Sequence, residues 1–147
     1  MDRLVYISSL NEELSAKTFD EFLKSFSFAN KLHDITGCLY INKKTVVQIL
    51  EGEKRKLDQL MENIDFDNRH TVHRVHWFRD VKKRKFPNWS MKNLTDTEVD
   101  ENMEKIHNLL RLKPAISAEL ILESCVNILE SYYFIKEYHD YRFPSPL

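Results

Sequence analysis

Three polar side chains stand where the surrounding pattern is apolar. Tyr6 follows Leu4 at strand spacing, Gln48 lies between Val46 and Leu50, and Asn30 continues the helical stripe Phe19-Phe22-Phe26. A phenol can release an electron together with its proton. A carboxamide donates from its NH₂ and accepts at its carbonyl. Burying any of these groups without a partner costs about 1–3 kcal/mol. Three in one small domain imply a shared partner or a network; the alternative is that each bonds to nearby backbone. The other chemically suggestive groups read more plainly. His70, His73 and His76 recur every third residue, but on a strand His70 and His73 face opposite sides, so no metal site is expected. Glu51 and Glu53 read as surface charges rather than an acid/base pair. Lys82-Lys83-Arg84-Lys85 reads as a solvated basic loop, and Cys38 as a small core residue.

The elements that must position these groups are legible in the periodicity. Residues 3–9, RLVYISS, alternate as a strand, with Leu4, Tyr6 and Ser8 on one face and Val5 and Ile7 on the other. Residues 18–33 read as a helix, with Phe19, Phe22, Leu23 and Phe26 on its apolar side and Thr18 and Glu21 as a capping pair. Residues 35–42 and 45–50 are β-rich runs joined at Lys43-Lys44, a hairpin pattern. Residues 54–65 are helical, with Leu57, Leu60, Met61 and Ile64 on one face. Residues 72–79 form a strand, and a last short strand is expected within Phe86–Leu94. The order β-α-β-β-α-β plus one strand predicts an α+β fold. It is a ferredoxin-like, five-stranded mixed sheet with two helices on one face.

The remainder differs. Residues 96–147 carry two amphipathic helical stretches separated at Pro114. The first 95 residues hold 17 basic and 13 acidic side chains, and the rest 5 basic and 10 acidic. The reading is a core over 1–95 and a two-helix acidic extension over 96–147. Val5 and Ile7 need cover, so the extension is expected to pack on the open face of the sheet. Tyr132, Tyr133, Tyr138 and Tyr141 near the end suit sheet cover or a subunit contact.

Composition excludes several functions. The chain has 147 residues and a net charge of −1, so total charge suggests neither a nucleic-acid nor a membrane partner. Its only glycines, Gly37 and Gly52, are fifteen apart. Neither a GxGxxG turn nor a GxxxxGK phosphate loop can be built from them. Two distant cysteines, Cys38 and Cys125, suggest no disulfide framework. No segment reads as a signal peptide or membrane span, so a cytoplasmic protein is expected.

The motifs LVYISS, the helix ending in Asn30, ITGCLY, VVQILEGE, DNRH and FPNWSM, at their spacings over residues 3–94, resemble the BLUF domain, a flavin-based blue-light sensor family. The asparagine five residues before ITG and the glutamine two before LEG are especially diagnostic. The resemblance implies FAD as cofactor, or FMN or riboflavin in its place, held noncovalently between the two helices. It assigns Tyr6 as the redox-active tyrosine, Gln48 as the glutamine between phenol and flavin, and Asn30 as the amide on the flavin's polar edge. It makes Ile35, Leu39 and Ile64 apolar walls of the ring site, and Arg69 and His70 polar contacts. Trp89 and Met91 become the mobile pair on the last strand, either of which could face the flavin. Asn63 stands where the family often has a basic residue.

By the same resemblance, light moves an electron and a proton from Tyr6 to the flavin, the radical pair recombines, and Gln48 is left rotated or tautomerised. A stronger bond to the flavin C4 carbonyl then gives a small red shift. The change would leave through the last strand to the C-terminal helices. No enzyme is expected within the chain, so output would pass to a partner protein or through a homo-oligomer. The competing readings are an acylphosphatase-like hydrolase and a light-insensitive flavin-binding adaptor. The first is disfavoured because SSLNEEL after Ile7 is acidic and lacks glycine.

Overall fold

The computed structural model describes residues 1–88 together with 101–102, 104–105, 108, 120 and 123–131. The elements follow the order β1 (Asp2–Leu10), α1 (Ala16–Leu32), β2 (Thr36–Asn42), β3 (Thr45–Gly52), α2 (Lys54–Asp65) and β4 (His70–Phe78). The strands lie in the order β2-β3-β1-β4. All three pairings are antiparallel. β1 and β3 are central because they are apolar on both faces. A strand with only one apolar face would expose the other to no benefit.

Alternation divides these residues between two cores. Leu4, Tyr6 and Leu10 join Leu39, Val46 and Leu50 beneath Leu57, Met61 and Ile64 of α2, with Leu23 of α1 at the margin. Val5 and Ile7 join Cys38, Tyr40, Val47 and Ile49 on the opposite face. There Phe86 and the helical residues Cys125, Val126 and Leu129 cover them. The described helical part of the extension, 123–131, therefore packs on the sheet face away from α2, as the need to cover Val5 and Ile7 predicts. Among the described residues, no helix is long and apolar enough to cross a membrane.

Several boundaries move from their expected places. α1 begins at Ala16 rather than 18, because Ser15 caps it: Ser15 Oγ accepts the Thr18 N–H at 3.2 Å. Thr18 and Glu21 are instead the third and sixth residues of the helix. Ala16 and Lys17 are good helix formers and carry the helix back one more step. Ser15→Ala should lower stability by about 1 kcal/mol in urea unfolding, whereas Thr18→Ala, if the cap were at Thr18, would be the costlier change. β4 starts at His70, two residues early, because it pairs along the whole of β1 from Leu10↔His70 to Arg3↔Phe78. A bulge opposite Ile7 and Ser8 leaves His73 as the extra residue in β4. Phe86–Asn88 form a bend and a turn rather than the start of a strand. The rest of the expected fifth strand, and any parallel pairing that would make the sheet mixed, lie outside the described residues. The 132–141 tyrosines lie there too.

The end of α1 is fixed without glycine. Asp34 takes φ 54°, the Ile35 N–H reaches the Asn30 carbonyl at 2.9 Å, and the Asp34 N–H reaches the Lys31 carbonyl at 3.3 Å. This is the Schellman termination, with an aspartate in the left-handed position usually given to glycine. It sets Asn30 on the last turn, buried, one short step from β2.

Candidate functional site

Tyr6 on β1 is the direct cross-strand partner of Gln48 on β3, and Gln48 is the direct partner of Leu39 on β2. The three form a row across the sheet beneath α2. Direct partners on one face bring Cβ atoms within about 5 Å, close enough for a phenol to meet a carboxamide. The Tyr6 hydroxyl donates to Gln48 Oε1, and both side chains are buried. Burial, helped by the nearby Asp67 carboxylate, pushes the Tyr6 phenol well above its ordinary value of 10.0. At neutral pH it therefore keeps its proton, held on a bond aimed at Gln48. Among the described residues, no buried side-chain nitrogen or oxygen lacks a hydrogen-bond partner.

Tyr6, Gln48, Leu39, Ile64, Arg69 and His70 line one narrow cavity, together with Leu10, Val46 and Asp67. Asn30 and Ile35 line a second, wider cleft between the end of α1 and the start of α2. Leu60 and Ile64, four residues apart on α2, present one to each space. So the structure gathers the predicted site residues of the core along one side of the sheet, but in two compartments. Trp89 and Met91 lie outside the described residues.

Two of the predicted polar contacts have protein partners of their own. Arg69 Nε donates to Asp67 Oδ1 at 2.9 Å and Oδ2 at 3.0 Å. That fork holds the Asp67 carboxyl below its ordinary range. His70 Nε2 lies 3.0 Å from the Ile64 carbonyl, and Nδ1 lies 3.0 Å from Ser8 Oγ. A carbonyl only accepts, so Nε2 carries a proton and donates to it. His70 thereby braces the last turn of α2 against β1, its ring edge-on to Tyr6 at 6.2 Å between centroids. His73 points the other way, to Ser9 at 2.7 Å. Sequence reasoning missed Asp67 as a lining residue. Its place in DNRH, two before Arg69, was the available sign.

The residue set suits a flat heteroaromatic ring with polar edges. Leu39, Ile64, Leu10 and Val46 offer apolar walls, Gln48 a carboxamide on one side and Asn30 another at the adjoining cleft. Such rings are bound by apolar faces with a few placed hydrogen-bond groups. The cleft also holds Arg55, Lys56 and His33, with the Glu53 carboxylate 3.8 Å from Lys56 Nζ.

Comparison with known proteins agrees with this. A family model described as sensors of blue-light using FAD matches residues 1–92. A search of curated proteins finds no match. The photo-activated state of BlsA superposes with a TM-score of 0.68 at 26% identity, covering 88% of this chain and 95% of BlsA. A bacterial light-regulated adenylyl cyclase gives 0.66 at 30% identity, over 82% of this chain and 38% of that one. BlrP1 of Klebsiella pneumoniae, with FMN and cyclic diGMP, gives 0.59 at 26% identity, over 99% of this chain and 37% of that one. This chain thus spans little more than a third of the length of the cyclase and of BlrP1. The chain belongs to the BLUF family, the flavin-binding sensors of blue light.

Proposed function

We propose that this chain senses blue light through the Tyr6–Gln48 pair and reports it through its last strand and C-terminal helices. The observation that carries the reading is the buried hydrogen bond from the Tyr6 hydroxyl to Gln48 Oε1, in direct cross-strand register. When bound, the flavin supplies the blue-light absorption and the excited-state electron acceptor. Tyr6 would supply the electron while its proton moves along the bond to Gln48, and both return to Tyr6 before the new state settles. Gln48 can then settle in a different arrangement, because a carboxamide presents a donor or an acceptor according to its orientation. Leu39, Ile35 and Ile64 hold the ring and exclude water. Asn30 fixes its polar edge, and His70 and Arg69 hold the α2 end of the site in place.

Core and extension divide near residue 95 in this reading. Trp89 or Met91 senses the new state of Gln48, and the helices of 96–147 present it to a partner protein or a second copy of this chain. The chain itself is the sensor; adenylyl cyclase activity belongs to the fused relatives. FAD is the expected flavin.

The test is the visible spectrum of the purified protein after FAD addition, dark and after blue light. A flavin spectrum that moves slightly to the red and returns in darkness is the expected result. A colourless protein would refute flavin binding. Bound flavin that never shifts would refute the relay and favour a light-insensitive adaptor.

A further inference from the structure

Glu51 was expected at the surface, yet it is completely buried. It lies on the sheet face opposite Gln48, three residues further along β3. Its carboxylate accepts three hydrogen bonds. Arg3 Nε donates to Oε1 at 2.7 Å, the Lys85 N–H to Oε1 at 2.8 Å, and the Phe86 N–H to Oε2 at 2.9 Å. Arg3 is also buried and reaches the Lys83 carbonyl at 3.2 Å. Arg84 closes the same seam. It donates to the Glu51 carbonyl at 3.0 Å, Thr36 Oγ1 at 2.7 Å and the Asp34 carbonyl at 2.9 Å. Four consecutive residues, 83–86, are thus tied to β1, β3 and the end of α1. The same segment meets the C-terminal helix: Lys85 pairs with Glu130, and Phe86 packs in one core with Cys125, Val126 and Leu129.

We propose that Arg3 and Glu51 are positioning residues for output, clamping segment 83–86 so that a change in β3 is delivered to the helical segment 123–131. Among the described residues, none of the bonds that make the clamp goes to a group lining the ring cavity. It acts by holding a short stretch that bonds on one side to the strand bearing Gln48 and on the other to the helix. A carboxylate that accepts three bonds has one geometry, so a shift of β3 moves the backbone of 85–86 with it rather than letting it slip. The inference rests on the reading that the C-terminal helix carries the output.

Cys125 is the probe. Burial pushes its thiol up to about 12, so it reacts only when the helix lifts from the sheet. Maleimide labelling of Cys125, mapped by mass spectrometry in dark and light, is run beside the flavin difference spectrum on the full chain. In the wild type, light should change the labelling rate several-fold. Glu51→Gln keeps the shape but puts an NH₂ where an acceptor is needed. It should keep the red shift while its dark and light labelling rates become equal. A Glu51→Gln protein with both the red shift and the full labelling difference overturns the proposal. Loss of the red shift also overturns it, because the pair would then serve the flavin site. A wild type that shifts red with no labelling difference removes the output reading itself, and the clamp's role with it. Should Glu51→Gln not fold, Arg3→Gln removes the Nε donor to Glu51 and leaves both backbone donors in place. An undiminished labelling difference in that variant overturns the proposal equally.

Discussion

Tyr6→Phe abolishes the light-induced red shift and leaves the flavin bound. The ring stays, so the apolar wall against Leu39, Val46 and Ile64 is nearly unchanged. Only the hydroxyl goes, and with it the donation from Tyr6 to Gln48 Oε1. Phenylalanine has no O–H to lose, so electron loss is no longer coupled to proton loss along that bond. The shift should fall below detection while flavin absorbance stays near that of the wild type. Stability should drop by about 1 kcal/mol, the cost of removing one hydrogen bond from a buried carboxamide. Difference spectra under blue light, with urea unfolding beside them, read both. A Tyr6→Phe protein that still shifts and recovers would remove Tyr6 from the relay and with it the mechanism proposed above.

Gly37→Ala should be the most damaging single-methyl change in the sheet. An added Cβ would sit 1.9 Å from the Ile49 carbonyl oxygen and 3.1 Å from Leu50 Cα, both backbone atoms of β3. No flexible side-chain tip can yield there, so β2 must move off β3. Gly37 pairs with Leu50, and two residues on, Leu39 pairs with Gln48. The displacement therefore opens the row that walls the ring site as well as the core. A loss of about 3 kcal/mol or more is expected, a large share of the 5–15 kcal/mol typical of a whole domain. The urea midpoint should fall steeply, and purified protein should carry little flavin. Unchanged midpoint and flavin content would show that β2 can step aside freely, against the contact just described.

Gly37 also marks how the two kinds of information divide. Its presence in ITGCLY is plain in the sequence, but the reason for it is an approach between two strands that no local pattern encodes. The same holds for Asp34. Nothing in KLHDITG announces that an aspartate will take the left-handed position, because what permits it is the pair of carbonyls that α1 offers at its end.

What the sequence by itself determined was which side chains share a face. A period of two put Tyr6 with Leu4 and Gln48 with Val46 and Leu50, and a period of 3.6 put Leu57, Met61 and Ile64 together. Those assignments are local geometry, so they survive folding. The lengths and order of these runs were enough for the antiparallel core, and the motif residues carried the resemblance to the family. What only the tertiary structure decided was which residue meets which. Tyr6 faces Gln48 rather than a neighbour because the β1–β3 register places it there. His70 braces Ile64 because β4 begins early and lies against the end of α2. Glu51 looked like a solvated charge because its partners, Arg3 and the N–H groups of 85 and 86, lie 48, 34 and 35 residues away along the chain. A charged group's burial depends on whether distant donors converge on it. Periodicity carries no record of that, and only the folded chain supplies it.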